Sequence, residues 1–209
     1  MAKLEALLND LANLDAQHDL DGMRRVRELI IDEHPGTDAA VEALYKLGLD
    51  QLFRERNVEA AVAKFEDAAK RKHPFWSAAA RTSLGLCLYH QKRVQKALFE
   101  LRKVAHPDEP NAHSVTALAF IENICVAEGQ VEDAKRARKE RIGQLEALAA
   151  QARDHHRTSE RAYYLYSLGM ALRDHGEQAR ARAVLEEARD LGPDAVGHDL
   201  FRSISSALV

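Results

Sequence analysis

Along this chain apolar residues return every three or four positions, and the positions between them are mostly charged or polar. That spacing gathers the apolar side chains on one stripe of an α-helix. The stripes are interrupted by short polar segments, and the breaks predict eleven helices. They span about 3–18, 20–34, 37–55, 57–72, 75–91, 93–106, 111–128, 130–154, 157–175, 177–191 and 194–208. Period-two alternation of β-branched and aromatic residues, which would mark strands, is scarce.

The predicted helices fall into pairs, and small residues recur at fixed places within them. Leu165, Leu168, Gly169 and Leu172 share one helix face, and a turn at Asp174, His175 and Gly176 follows. The next helix carries Ala181, Leu185 and Ala188 and stops at Gly192 and Pro193. Gly169 precedes Ala181 by twelve residues, and Ala181 precedes Pro193 by twelve. Upstream, Leu84 and Gly85 stand before Ala97, Leu101 and Val104 with the same interval from Gly85 to Ala97. Leu44, Leu47 and Gly48 stand before Ala61, Phe65 and Ala68, with one extra residue in the turn around Asn57. A fourth unit has Leu118, Ile121 and Cys125, then Gly129, Val131 and Ala134. There Glu122 takes the place of the glycine and Arg138 that of the large apolar residue.

This arrangement resembles the tetratricopeptide repeat, a helix-turn-helix unit read as a large residue, Leu-Gly, then Tyr or Leu, Ala, an aromatic or Leu, Ala and Pro. The physical sense of the pattern is direct. Gly169 and Ala181 let two helices cross closely, and Pro193 ends the second helix because it lacks the required N–H. The dipeptides His34–Pro35, His73–Pro74 and His106–Pro107 each stand where a second helix should stop, the histidine closing its C-terminus. The resemblance implies an all-α solenoid filling 1–209 as a single domain. Its repeats lie at about 3–35, 37–74, 75–107, 111–154 and 157–193, with a cap over 194–209. The interval from Ala134 to Ala181 is 47 residues where the earlier ones are 36 and 37. A long helix over 130–154, which holds no proline, accounts for the difference. Val196, Leu200, Phe201 and Ile204 supply the apolar face that covers the exposed end of the stack.

Composition narrows the functional classes. Only 10 Gly and 5 Pro occur in 209 residues, which suits helix nearly throughout. A net charge of −3 and a pI near 6.4 give no global attraction to nucleic acid or anionic membrane. The start, with Glu5, Asp10 and Asp15 among its leucines, lacks the apolar run of a secretory signal, and no stretch is apolar enough to cross a bilayer. Cys87 and Cys125 lie inside apolar helical patterns without partner spacing, so they are expected to be reduced and buried in a cytoplasmic protein.

Chemistry is sparse. His155 and His156 are adjacent and so diverge, whereas metal-binding pairs on a helix need a spacing of three or four. His18 and His113 have no recurring ligand set around them. No phosphate loop, nucleophile elbow or Cys–His signature is present. No catalytic residue, cofactor or metal is expected, and the chain reads as a protein without enzymatic activity. Lys135, Arg136, Arg138, Lys139 and Arg141 form the sharpest charge feature, tempered by Glu132, Asp133 and Glu140.

The resemblance implies that the first helices of successive repeats line a concave groove. With the glycine positions as anchors, the second repeat would present Tyr45, Lys46, Leu49, Leu52 and Phe53. The third would present Thr82, Ser83, Leu86, Tyr89 and His90, and the fourth Phe120 and Asn123. The fifth would present Tyr163, Tyr166, Ser167, Met170 and Arg173. Four of the five tyrosines fall in this set, and aromatics with a polar tip suit interfaces. One subclass of the family grips a partner's C-terminal carboxylate with lysines, asparagines and an arginine. Here those positions hold Tyr45, Leu49, Ala79 and Ser83, with only Lys46 basic, so an apolar contact to an extended or helical segment is the better expectation. The expected function is an adaptor or scaffold that holds a protein or peptide partner. The alternatives are a self-associating subunit, packing through 3–18 or 194–208, and a binder of nucleic acid or an acidic partner through residues 135–141.

Overall fold

The computed structural model describes residues 2–208, and among them every regular element is helical. In chain order the helices are α1 (Ala2–Ala16), α2 (Leu20–Glu33), α3 (Asp38–Phe53), α4 (Val58–Lys70), α5 (Trp76–His90) and α6 (Val94–Ala105). They continue with α7 (Ala112–Ala127), α8 (Val131–Asp154), α9 (Thr158–Asp174), α10 (Gln178–Asp190), α11 (Pro193–Val196) and α12 (His198–Ala207). The chain packs as two compact units, Met1–Val104 and Ala105–Val209.

Local chemistry sets the starts of several helices. Asp19, Thr37 and Asn57 each accept from a backbone N–H in the first turn of α2, α3 and α4. Asn111 and Ser114 cap α7 reciprocally, side chain to backbone in both directions. These side chains satisfy N–H groups that a helix start leaves without partners.

The turns share one geometry. At His18, Lys92, Gly129, His156 and Gly176 the backbone enters the left-handed region, with φ from 55° to 88°. In each turn that residue's N–H donates three positions back and the next N–H donates five positions back. This double closure satisfies the last carbonyls of the outgoing helix and reverses the chain. The α3–α4 turn, with Arg56 left-handed, is one residue longer, and there the Asn57 N–H donates to the Gln51 carbonyl. The turn at His156 joins α8 to α9 and has the same form as the turns inside the predicted pairs.

Close crossings occur where the sequence places glycine. A methyl group at Gly48 would fall 2.5 Å from the Phe65 ring, and one at Gly85 would fall 2.7 Å from Leu101 Cγ. At Gly169 the corresponding distance to Leu185 Cγ is 2.5 Å. The large side chain of each second helix thus seats directly on the glycine backbone of the first.

In the first unit Ile30, Ala40 and Ala43 form an apolar cluster joined by Leu4, Leu7, Leu11 and Val26. Phe65 and Leu44 are fully buried further along. In the second unit the C-terminal half of α8 supplies Ile142, Leu145, Leu148, Ala149 and Ala152 to a cluster with Leu165, Leu168 and Leu172 of α9. The 24-residue α8 therefore packs against both α7 and α9, and the long interval before Ala181 is helix. Both cysteines are buried and neither forms a disulfide. Burial raises the Cys87 pKa above the ordinary thiol value, which keeps it protonated and unreactive.

Three expectations need correction. The terminal helix predicted over 194–208 is two helices, because Gly197 at φ 83° breaks the run between α11 and α12. Pro193 does not end α10. That helix stops at Asp190, the chain turns at Gly192 with φ 83°, and Pro193 opens α11, where its missing N–H costs nothing. His73 does not close α4, which ends at Lys70. Its Nδ1 accepts from the Phe75 and Trp76 N–H groups at 3.1 and 3.0 Å, so it serves the start of α5.

Candidate functional site

In the first unit the predicted first-helix residues lie on α3 and α5. Tyr45 is half-buried, its ring 5.9 Å from that of Phe65 and 5.5 Å from that of Trp76. Lys46 extends its ammonium over the Trp76 ring, 5.4 Å from the centroid, within the range of a cation–π attraction. Phe75 meets the same indole edge-on at 4.7 Å. Leu49, Leu52, Ser83, Leu86 and Tyr89 are half-buried, whereas Phe53 and His90 are exposed, Phe53 at 72%. Thr82 is the exception: it is buried, and its hydroxyl donates to the Ala78 carbonyl at 3.0 Å, so it is a helix-interior residue.

A cleft of about 340 Å³ opens beside this surface, formed by α1, α2 and α3. Leu8, Leu11 and Ala12 of α1 form one wall, and Ala39, Glu42 and Lys46 of α3 form the other. Lys46 therefore belongs to both features, lining the cleft and covering Trp76. Sequence reasoning left out the α1 wall and Trp76. For Trp76 a signal existed: it shares a helical stripe with Ser83, Leu86 and His90 at intervals of seven, ten and fourteen residues. For α1 there was no glycine anchor from which to count.

In the second unit Phe120 is half-buried and Asn123 exposed on α7. On α9 Tyr163 is exposed, Tyr166, Ser167 and Met170 are half-buried, and Arg173 is exposed. Tyr163 meets Tyr164 in an edge-on contact at 5.7 Å, and Tyr164 is the one tyrosine that turns inward. Burial, with the nearby Glu160 carboxylate, raises the Tyr164 hydroxyl pKa. Tyr166, Met170 and Arg173 line an open cleft of about 380 Å³ whose other wall is Arg202, Ser203 and Ser206 of α12. The C-terminal helix thus borders the α9 face as well as burying Ile204 in the core.

The basic stretch on α8 is largely paired. Arg138 and Arg141 both engage the buried Glu122 carboxylate, at 2.5 and 2.9 Å. Lys135 pairs with Glu132, and Arg136 approaches Asp133. Arg138 and Arg141 are thus held within the fold, whereas the pairs of Lys135 and Arg136 are exposed, and Lys139 makes no ion pair among the described residues. No helix among the described residues is long and apolar enough to cross a membrane.

The comparisons with known proteins match this geometry. The family model described as Tetratricopeptide repeat matches residues 45–112 and 142–196, more than half of the chain. The chain belongs to the tetratricopeptide repeat family. Tetratricopeptide repeats generally mediate protein–protein interaction or scaffolding, and proteins of this fold are typically non-enzymatic. Solved structures share the fold at low identity. BtubC from P. vanneervenii is 16% identical with a TM-score of 0.60, over 97% of this chain and 82% of that one. PilW, a type IV pilus biogenesis factor, is 16% identical with a TM-score of 0.55, over 98% and 82%. Nearly identical TPR-like repeats from Podosopora anserina are 15% identical with a TM-score of 0.55, over 92% and 96%. No curated protein matches the chain. The second matched segment begins at residue 142, inside α8.

Proposed function

We propose that this tetratricopeptide repeat protein is an adaptor or scaffold that holds a segment of a partner polypeptide on its first-helix face. The observation that carries this reading is the shared position of Lys46. It joins an apolar-walled cleft between α1 and α3 to the aromatic group Tyr45–Trp76–Phe75, making one recognition surface within the first unit. Such a surface offers apolar area for a partner's side chains and isolated charges at Asp15, Glu42 and Lys46 to fix their register. The α9 surface with Tyr163, Tyr166 and Met170 has the same character in the second unit.

Affinity enrichment from a native lysate tests the proposal, wild type beside the double variant Tyr89→Ala, Tyr166→Ala. The variant should keep its helical circular dichroism and lose the captured partner. Equal recovery by both proteins would count against groove binding. A second reading, self-association, is favoured by Leu8, Leu20 and Leu29, large apolar side chains about 45% exposed on the first helix pair. Light scattering that shows a monomer at all concentrations would dismiss it.

A further inference from the structure

On the side of the first unit formed by α4, α5 and α6 lies a recess of about 480 Å³. Its floor is apolar, made by Ala69, Leu84 and Leu88. Its lining holds five cations, from Lys70, Arg81, Arg93, Lys96 and Lys103, against two carboxylates, Glu66 and Glu100. The whole chain is net acidic, at −3, so this local excess of positive charge departs from the rest of the surface.

The cations differ in their commitments. Arg81 and Lys103 each contact Glu100 at 2.8 Å, and Arg81 also donates to the Ala69 carbonyl, so both are held by the fold. Arg93 donates to the Gln91 side chain at 3.3 Å and meets no carboxylate among the described residues. Lys70 has only a loose, exposed pairing with Asp67 at 3.5 Å. Lys96 makes no hydrogen bond or ion pair among the described residues. Among these groups stands Phe99, 59% exposed, with the Lys103 ammonium 4.0 Å from its ring centroid. A phenyl ring held in water beside under-neutralised cations is the arrangement of a contact whose other half is missing.

We infer that this recess docks an acidic peptide segment bearing an apolar side chain. The apolar side chain packs on Phe99 above Leu84 and Leu88, and flanking carboxylates pair with Lys96, Arg93 and Lys70. Charge complementarity selects the occupant. A nucleic acid needs a track of cations along its backbone, whereas here the cations ring one recess with an apolar floor.

The test uses the full chain and fluorescein-labelled nonapeptides of Asp and Glu around a central Leu, read by anisotropy. The central-Leu peptide should bind, and replacing its Leu by Ala should weaken binding roughly tenfold. Lys96→Glu should abolish binding, while Lys139→Glu, the same change in net charge on α8, should leave it intact. Phe99→Ser should lose about tenfold, with circular dichroism confirming unchanged helicity. The Tyr89→Ala, Tyr166→Ala protein should bind the peptide as wild type does, which separates this site from the first-helix face. Absence of binding, indifference to Lys96→Glu or to the central Leu, or tighter binding of oligothymidylate would overturn the inference.

Discussion

Arg138 donates from Nε to the Glu122 carboxylate at 2.5 Å, at the crossing where three other helix pairs set glycine against phenylalanine or leucine. Glu122 is buried, and Arg141 reaches its second oxygen at 2.9 Å. Arg138 also donates to the Asp174 carbonyl at 2.7 Å, placing positive charge at the C-terminal end of α9. An ion pair and its hydrogen bonds therefore replace a knob-in-gap contact, and one arginine ties α7, α8 and α9 together.

Breaking this group from one side leaves buried charge without compensation. Glu122→Ala should destabilise the protein by about 3 kcal/mol, the lower end of the usual range because both guanidinium groups keep some solvent contact. Glu122→Gly combined with Arg138→Leu restores the pattern of the other crossings and should recover much of that loss. Urea unfolding of the three proteins checks both statements. An equal or larger loss in the double variant would show that the ion pair is not standing in for the small–large contact.

The glycines divide into two kinds, and substitution should separate them. Gly85→Val forces a methyl-bearing carbon within 2.7 Å of Leu101 and should cost about 1–3 kcal/mol through overpacking. Gly143 lies within α8 with open space around it, so Gly143→Ala should stabilise by about 0.5–1 kcal/mol. Thermal melts of the two variants should move in opposite directions.

Much of the fold was legible because glycine, alanine and the His-Pro dipeptides mark physical necessities: close crossing and helix interruption. The long α8 could be read from an interval and the lack of proline. What escaped depended on contacts distant in sequence. The repeat register set Glu122 opposite Arg138, but nothing local announced that Arg141 would join them or that Arg138 would reach α9. Gly197 was legible as a residue but not as a break, since a glycine inside an amphipathic run is equally compatible with a continuous helix. The first-helix face could be counted from glycine anchors in α3, α5 and α9. In α1 no such anchor exists, and Leu8, Leu11 and Ala12 were missed for that reason. Thr82 was misassigned because counting from Gly85 gives a helix face but not the depth at which a neighbour covers it.

His113 gives the fold a definite pH response. Burial lowers its pKa below the ordinary histidine value of 6.5. Above that value the imidazole is neutral in both folded and unfolded chains and contributes nothing to the balance. As pH falls through 6.5 the unfolded chain takes up the proton first, so stability declines until the depressed folded pKa is passed. The melting temperature of wild type should therefore drop more between about pH 7.5 and about pH 5 than that of His113→Gln. Parallel slopes for the two proteins would place the acid response elsewhere.

The claim that a partner lies along the first helices is tested most directly by where it touches. A photocrosslinking amino acid placed at Leu49, on the α3 face, should trap a different polypeptide in the source cells. The same probe at Lys64, on α4, should trap it weakly or not at all. Crosslinks from Lys64 in the absence of any from Leu49, or adducts of the chain with itself alone, would contradict the account.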